Sequence, residues 1–250
     1  MSLDLIVEPN IEVFEFENKE SCENALLEQL NKQIKQQLEK NQHCALALAG
    51  GNTPKPLYSK LSESPQPWQN VNVTLTDERW VNSDHDDSNE KMLNEYLLKH
   101  HAQTATLYGL KNSEANLAKA EETCNQLLNE HLSSLDVSIL GMGDDGHFAS
   151  IFPGVANQNE LLDLNQSKKC FMVKPEGKQI RISLTLSYLL SSKVIYVFLS
   201  GNKKKAIIDN TLELVRRNKQ VEEGSLPDGA LPIFALLNQK KCPVHIYWSA

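Results

Sequence analysis

The sequence predicts an α/β protein of three layers, a mostly parallel, Rossmann-like sheet with helices on both faces. Strand-length apolar or alternating runs take turns with amphipathic helical stretches along the whole chain, as in successive βαβ units. Two of those runs, 43–49 and 194–200, are apolar almost throughout and read as buried strands. Glycine-rich or charged segments follow several strand runs, where α/β folds hold their ligands.

The elements follow in order. Residues 11–16 alternate with period two, and 24–40 carry Leu26, Leu27, Leu30, Ile34 and Leu38 at helical spacing. After the strand at 43–49, Thr53-Pro54 reads as an N-cap with proline at the first helical position. A strand at 71–76 precedes a helix at 88–99 capped by Ser88. A helix at 114–132 precedes a strand at 135–140. Then come a strand at 170–173, a short helix at 184–190, the strand at 194–200, a helix at 203–217 and a closing strand at 244–248. No repeat, low-complexity tract or linker divides the chain, so one domain is expected over 1–250. The Gly- and Pro-containing stretch 221–232 reads as a loop.

Composition narrows the function classes. A chain of 250 residues with 40% apolar and 23% charged residues is long enough to bury a full core. A net charge of −7 argues against a nucleic-acid surface and against acidic membranes. The five cysteines are scattered without a CxxC, which suits reduced thiols and neither a disulfide framework nor a zinc site. No two histidines stand at zinc-ligand spacing with a carboxylate, so no metal is expected. The first residues lack a basic segment and a long apolar core, and no run approaches a membrane span, so the expected location is the cytoplasm.

Four strand ends carry candidate chemistry. Gly50-Gly51-Asn52-Thr53-Pro54 joins a strand to a helix, where exposed backbone N–H groups suit a phosphate. It is not a Walker A loop, because no Gly-Lys-Ser/Thr follows. Thr76-Asp77-Glu78-Arg79-Trp80 ends the strand at 71–76, with Arg79 suited to bidentate recognition of an oxyanion. Gly141-Met142-Gly143-Asp144-Asp145-Gly146-His147 ends the strand at 135–140, with Asp145 placed to fix the tautomer of His147. Its glycines also spell GxGxxG, but Pro153-Gly154 breaks the chain where a helix should run. Asp163, near the spacing of a ribose ligand, sits in loop-like sequence, so no dinucleotide cofactor is expected. Finally Ser200-Gly201-Asn202-Lys203-Lys204-Lys205 offers a lysine at a helix start, and Arg181 is a weaker candidate of the same kind. In a parallel sheet such ends share one edge, so these groups can converge on one small anion.

These motifs together resemble the glucosamine-6-phosphate isomerase/6-phosphogluconolactonase family, on its lactonase side. The resemblance rests on Gly50 to Pro54, Asp77-Glu78-Arg79-Trp80-Val81, Asp84-His85 and Asp87-Ser88-Asn89. It continues through Gly141 to Pro153, Arg181-Ile182-Ser183-Leu184-Thr185, and Gly201 with Lys204. Phe148 stands where the family usually has threonine after the histidine. The deaminases of the family carry a tyrosine where this chain has Arg79, and an Asn-Glu-Pro segment where it has Ile151-Phe152-Pro153.

The resemblance implies a glucosamine-6-phosphate deaminase-type fold and hydrolysis of 6-phospho-D-glucono-1,5-lactone in the oxidative pentose phosphate pathway. His147 and Asp145 would be the catalytic pair. Gly50, Gly51, Asn52, Thr53, Asp77, Arg79, Arg181 and Lys204 would bind the substrate and its phosphate. Which of Lys203, Lys204 and Lys205 reaches it, and whether Arg79 holds the phosphate or the C1 oxyanion, stay open in the sequence. No cofactor is implied. The expected partner is a small phosphosugar lactone, bound by a monomer or weak homo-oligomer.

Overall fold

Eight strands form the central sheet of the computed structural model, which describes the backbone of residues 5–8 and 10–250 and the side chains from Asn10 onward. Residues 1–4 and 9, within the stretch read for an export signal, lie outside the described residues. The strands of the main sheet are β1 (Leu5–Glu8), β2 (Ile11–Phe16), β3 (Cys44–Leu48), β4 (Val71–Leu75), β6 (Thr106–Tyr108), β7 (Val137–Leu140), β10 (Val194–Ser200) and β11 (Val244–Ser249). Their order is β1-β2-β11-β10-β7-β3-β4-β6, and every pairing but β1 with β2 is parallel. A second, antiparallel sheet joins β5 (Asp77–Arg79), β9 (Arg181–Leu184) and β8 (Cys170–Val173) in the order β5-β9-β8.

The helices are α1 (Lys19–Asn41), α2 (Lys55–Ser62), α3 (Asn89–Tyr96), α4 (Leu117–His131), α5 (Gln158–Leu162), α6 (Leu186–Leu189), α7 (Asn202–Arg217) and α8 (Ile233–Asn238). From β2 the chain crosses to β3, β4 and β6, always toward one edge of the sheet. From β6 it returns through β7 and β10 to β11. Right-handed crossovers therefore put α1, α2 and α3 on one face and α4, α7 and α8 on the other. Packing agrees, with α1 on α2, α2 on α3, and α7 on α8. Adjacent strands β3 and β7 send their connections in opposite directions. That is a topological switch point, where a crevice opens beyond the strand ends.

Local chemistry explains most element boundaries. Asn18 caps α1 by accepting from the Ser21 N–H at 2.9 Å, so the helix starts earlier than its apolar periodicity suggests. Ser88 caps α3 through the Lys91 N–H, as expected. Thr53 does not cap α2. Pro54 holds that position with no side-chain hydrogen bond, leaving Thr53 in the turn. The segment 184–190 divides: Leu184 ends β9, and Thr185 caps α6 by accepting from the Tyr188 N–H. Strand β10 is buried from Val194 to Leu199. All five cysteines are free and buried.

Candidate active site

The turn after β3 and the loop after β7 face each other across the switch-point crevice, a cleft of about 260 Å³. Gly50, Gly51, Asn52 and Thr53 form one wall and Gly141, Met142, Gly143 and His147 another. Asp77, Arg79, Arg181 and Lys204 also line it. The sequence expectation that these groups converge is met in space.

His147 is aimed by its own loop. Asp145 Oδ1 takes a hydrogen bond from His147 Nδ1 and also accepts from the His147 backbone N–H at 3.3 Å. Burial pushes the Asp145 carboxyl up, but its hydrogen bond to His147 and the imidazole's charge outweigh that and hold it below the usual range. An ionised acceptor at Nδ1 leaves Nε2 as the nitrogen available to take a proton. The Phe152 ring lies 4.2 Å from the imidazole, centroid to centroid, tilted by 34°. A Cβ at Gly143 would come within 2.1 Å of His147 Cε1, so only glycine lets the loop close this tightly around the ring. No helix opens at Gly146, and the first helix after the loop is α5. The loop therefore lacks the helix start that a dinucleotide fingerprint places at its third glycine.

The acidic–Arg segment departs from the expectation. Residues 77–79 do not extend the strand at 71–76. They form β5 of the second sheet, with Asp77 opposite Ser183 and Arg79 opposite Arg181. Asp77 is buried, accepting from Ser150 Oγ at 2.5 Å and lying 3.6 Å from Arg181 Nη1. Glu78 is fully buried and does not line the cleft. Its carboxylate accepts from the N–H groups of Arg79, Asn89 and Glu90, each at 2.8 Å, and from Ser88 Oγ at 3.1 Å. It is a cap for α3.

Two guanidiniums opposite each other on paired strands repel. Both nonetheless present an enclosed Nε without a hydrogen-bond partner. Arg79 spends one Nη1 bond on the Asp87 carbonyl. Burial, and then the charge of Arg79, pull the Arg181 guanidinium below its usual range, against the opposing pull of Asp77. An anion between them would relieve both the repulsion and the missing bonds. The three lysines separate cleanly. Lys203 pairs with Asp144, and Lys205 with Glu15 and Asp209, whereas Lys204 lines the cleft with no ion pair among the described residues.

Among the cleft-lining residues that the sequence reading did not name as site residues are Asn89 and Ala149. Ala149 holds φ +47° in the turn closed by the Ile151 N–H to the Phe148 carbonyl, a conformation that costs free energy for any residue but glycine. Its sequence neighbours give no sign of it. Asn89 was visible only as part of the Asp87-Ser88-Asn89 motif. Among the described residues, no three His, Cys, Asp or Glu side chains gather as metal ligands.

A doubly wound α/β chain with a His–Asp pair and three cations around a switch-point cleft belongs to the class of small-anion enzymes of this architecture. The family model for glucosamine-6-phosphate isomerases/6-phosphogluconolactonase matches residues 17–240, and the chain belongs to that family. It is 37% identical over 210 residues to a 6-phosphogluconolactonase of Pseudomonas putida, spanning 84% of this chain and 80% of that one. A 6-phosphogluconolactonase of Helicobacter pylori strain J99 is 30% identical, spanning 95% of this chain and 98% of its own. The crystal structure of a 6-phosphogluconolactonase from Shewanella baltica superposes with a TM-score of 0.87 at 31% identity. It covers 98% of this chain and 99% of that one.

Proposed function

We propose that the chain hydrolyses 6-phospho-D-glucono-1,5-lactone to 6-phospho-D-gluconate, one step of the oxidative pentose phosphate pathway, through a single domain over 1–250 in the cytoplasm. The relatives' names supply the substrate, and the observation that carries the mechanism is the Asp145–His147 pair facing a cleft with three cations. His147 Nε2 takes a proton from a water as that water attacks C1. The carbonyl π electrons move onto its oxygen, giving a tetrahedral oxyanion. The oxyanion then re-forms the carbonyl, the bond from C1 to the ring oxygen breaks, and His147 returns its proton to the departing oxygen. Asp145 positions the imidazole and stabilises its protonated form.

Arg79, Arg181 and Lys204 hold the dianionic phosphate together with the turn from Gly50 to Thr53. Asp77 acts beside them by holding Arg181 and Ser150 rather than by meeting an anion, since two negative groups would repel. This scheme needs no metal or organic cofactor and no partner beyond the phosphosugar lactone. It is complete within one chain, which suits a monomer or weak homo-oligomer. No helix of the described residues is long and apolar enough to cross a membrane.

Opening of freshly generated lactone, corrected for its spontaneous hydrolysis, tests the reading. His147→Ala should lower kcat by roughly 10²–10⁴-fold with a smaller change in KM. Near-normal turnover in that variant would remove His147 from the proton transfers.

A further inference from the structure

We propose that Asn89 is a specificity-determining residue that reads one ring hydroxyl of the substrate, its Oδ1 accepting the sugar O–H. Asn89 opens α3 at the wall of the cleft beside the Gly50 turn and is 2% exposed. Its backbone donor and one of the two N–H groups of Nδ2 are committed elsewhere. The backbone N–H goes to Glu78 Oε1 at 2.8 Å, and Nδ2 donates to the Asp77 carbonyl at 2.8 Å. Because a carbonyl only accepts, that second bond fixes which end of the amide is nitrogen. The oxygen therefore points the other way, and it accepts from no donor among the described residues.

Glycine at position 50 makes room for that oxygen. A Cβ on Gly50 would lie 1.9 Å from Asn89 Oδ1, so any larger residue would displace it. The oxygen is not sealed off either, since it is absent from the side-chain atoms that are both enclosed and unpartnered. A largely buried acceptor that opens on a cleft and has no protein donor is placed to accept from a ligand hydroxyl. An amide oxygen repels a phosphate but pairs with a hydroxyl. The cations Arg79, Arg181 and Lys204 offer donors to the phosphate, whereas Asn89 offers an acceptor to the polyol ring. A site built to bond a hydroxyl discriminates against the analogue that lacks it, because its own group is then left unpaired.

This inference rests on the lactonase reading, and the test separates the two. The kcat/KM of wild type, N89A and N89D is compared on 6-phosphogluconolactone and its 2-, 3- and 4-deoxy analogues. Wild type should lose on the order of 10-fold on one deoxy analogue. N89A should lose a similar factor on the parent lactone and then cease to distinguish that analogue. N89D keeps an acceptor of the same shape and should retain the discrimination. If Asn89 acted only through its bond to Asp77, N89A and N89D would both scale every lactone equally, which would overturn the assignment. Equal rates of wild type on all deoxy analogues would overturn it without any variant that might fail to fold. Failure of wild type to open any of these lactones would instead defeat the lactonase reading, and this inference with it.

Discussion

Asp145 shows how one residue sets the state of another at this site. Its carboxylate stays ionised because the His147 hydrogen bond and charge outweigh the cost of partial burial. Asp145→Asn should lower kcat far more than it changes KM, because an asparagine can offer its amide N–H to Nδ1 and allow the wrong tautomer. Steady-state kinetics on the freshly generated lactone check this. An unchanged kcat would mean that Asp145 does not orient the imidazole.

At the scale of elements, the sharpest device is Glu78, one charged side chain that terminates α3 and fixes the strand leading into the cleft. Its carboxylate serves three backbone N–H groups and the Ser88 hydroxyl, so Glu78→Ala leaves several buried donors unpaired. A loss of about 3 kcal/mol in urea unfolding is expected. Burial raises the Glu78 carboxyl above its usual range, although its backbone hydrogen bonds pull it down. The folded state thus holds this proton more tightly than the unfolded chain does. The associated stability is complete below the ordinary glutamate range and is lost as pH rises through the raised value. Glu78→Gln should flatten that part of the stability–pH curve.

The same element shows what the sequence carries and what it hides. The long parallel strands were legible because covered strands of this kind are almost continuously apolar, as at 43–49 and 194–200. His147, Asp145 and Lys204 were legible as candidates because their residue types declare the chemistry and they follow β7 and β10, whereas Arg79 and Arg181 lie within β5 and β9. The second sheet was not. Strand β5 is three charged residues, Asp77-Glu78-Arg79, and its partner β9 lies about a hundred residues away. Nothing in the local pattern announces such a pairing. Nor could local pattern show that Glu78 is a helix cap, that Asn89 faces the Gly50 turn, or that Pro54 displaces Thr53 from the cap of α2.

For the whole molecule, the consequence is that the cleft is shared between two sheets. The main sheet supplies the Gly50 turn, the His147 loop and Lys204, while the small sheet supplies Asp77, Arg79 and Arg181. Arg79 and Arg181 face each other on paired strands inside a chain of net charge −7. Beyond a Debye length of about 10 Å the overall negative charge is screened, so under the proposed scheme the local cations would govern capture of a dianion. A bound phosphate bridging them would relieve their repulsion and tie the sheets together, and binding to the native state alone raises stability by mass action. With 6-phosphogluconate at about 100 times its Kd, the gain is about 2.7 kcal/mol, or roughly 5–10 °C in Tm for a chain of this size. Gluconate at the same concentration should give little shift, and Arg181→Ala should lose most of the phosphate-dependent part. Amide hydrogen exchange should slow in β5 and β9 as well as in the Gly50 turn. Equal Tm shifts from gluconate and 6-phosphogluconate would show that the cation cluster does not hold the phosphate.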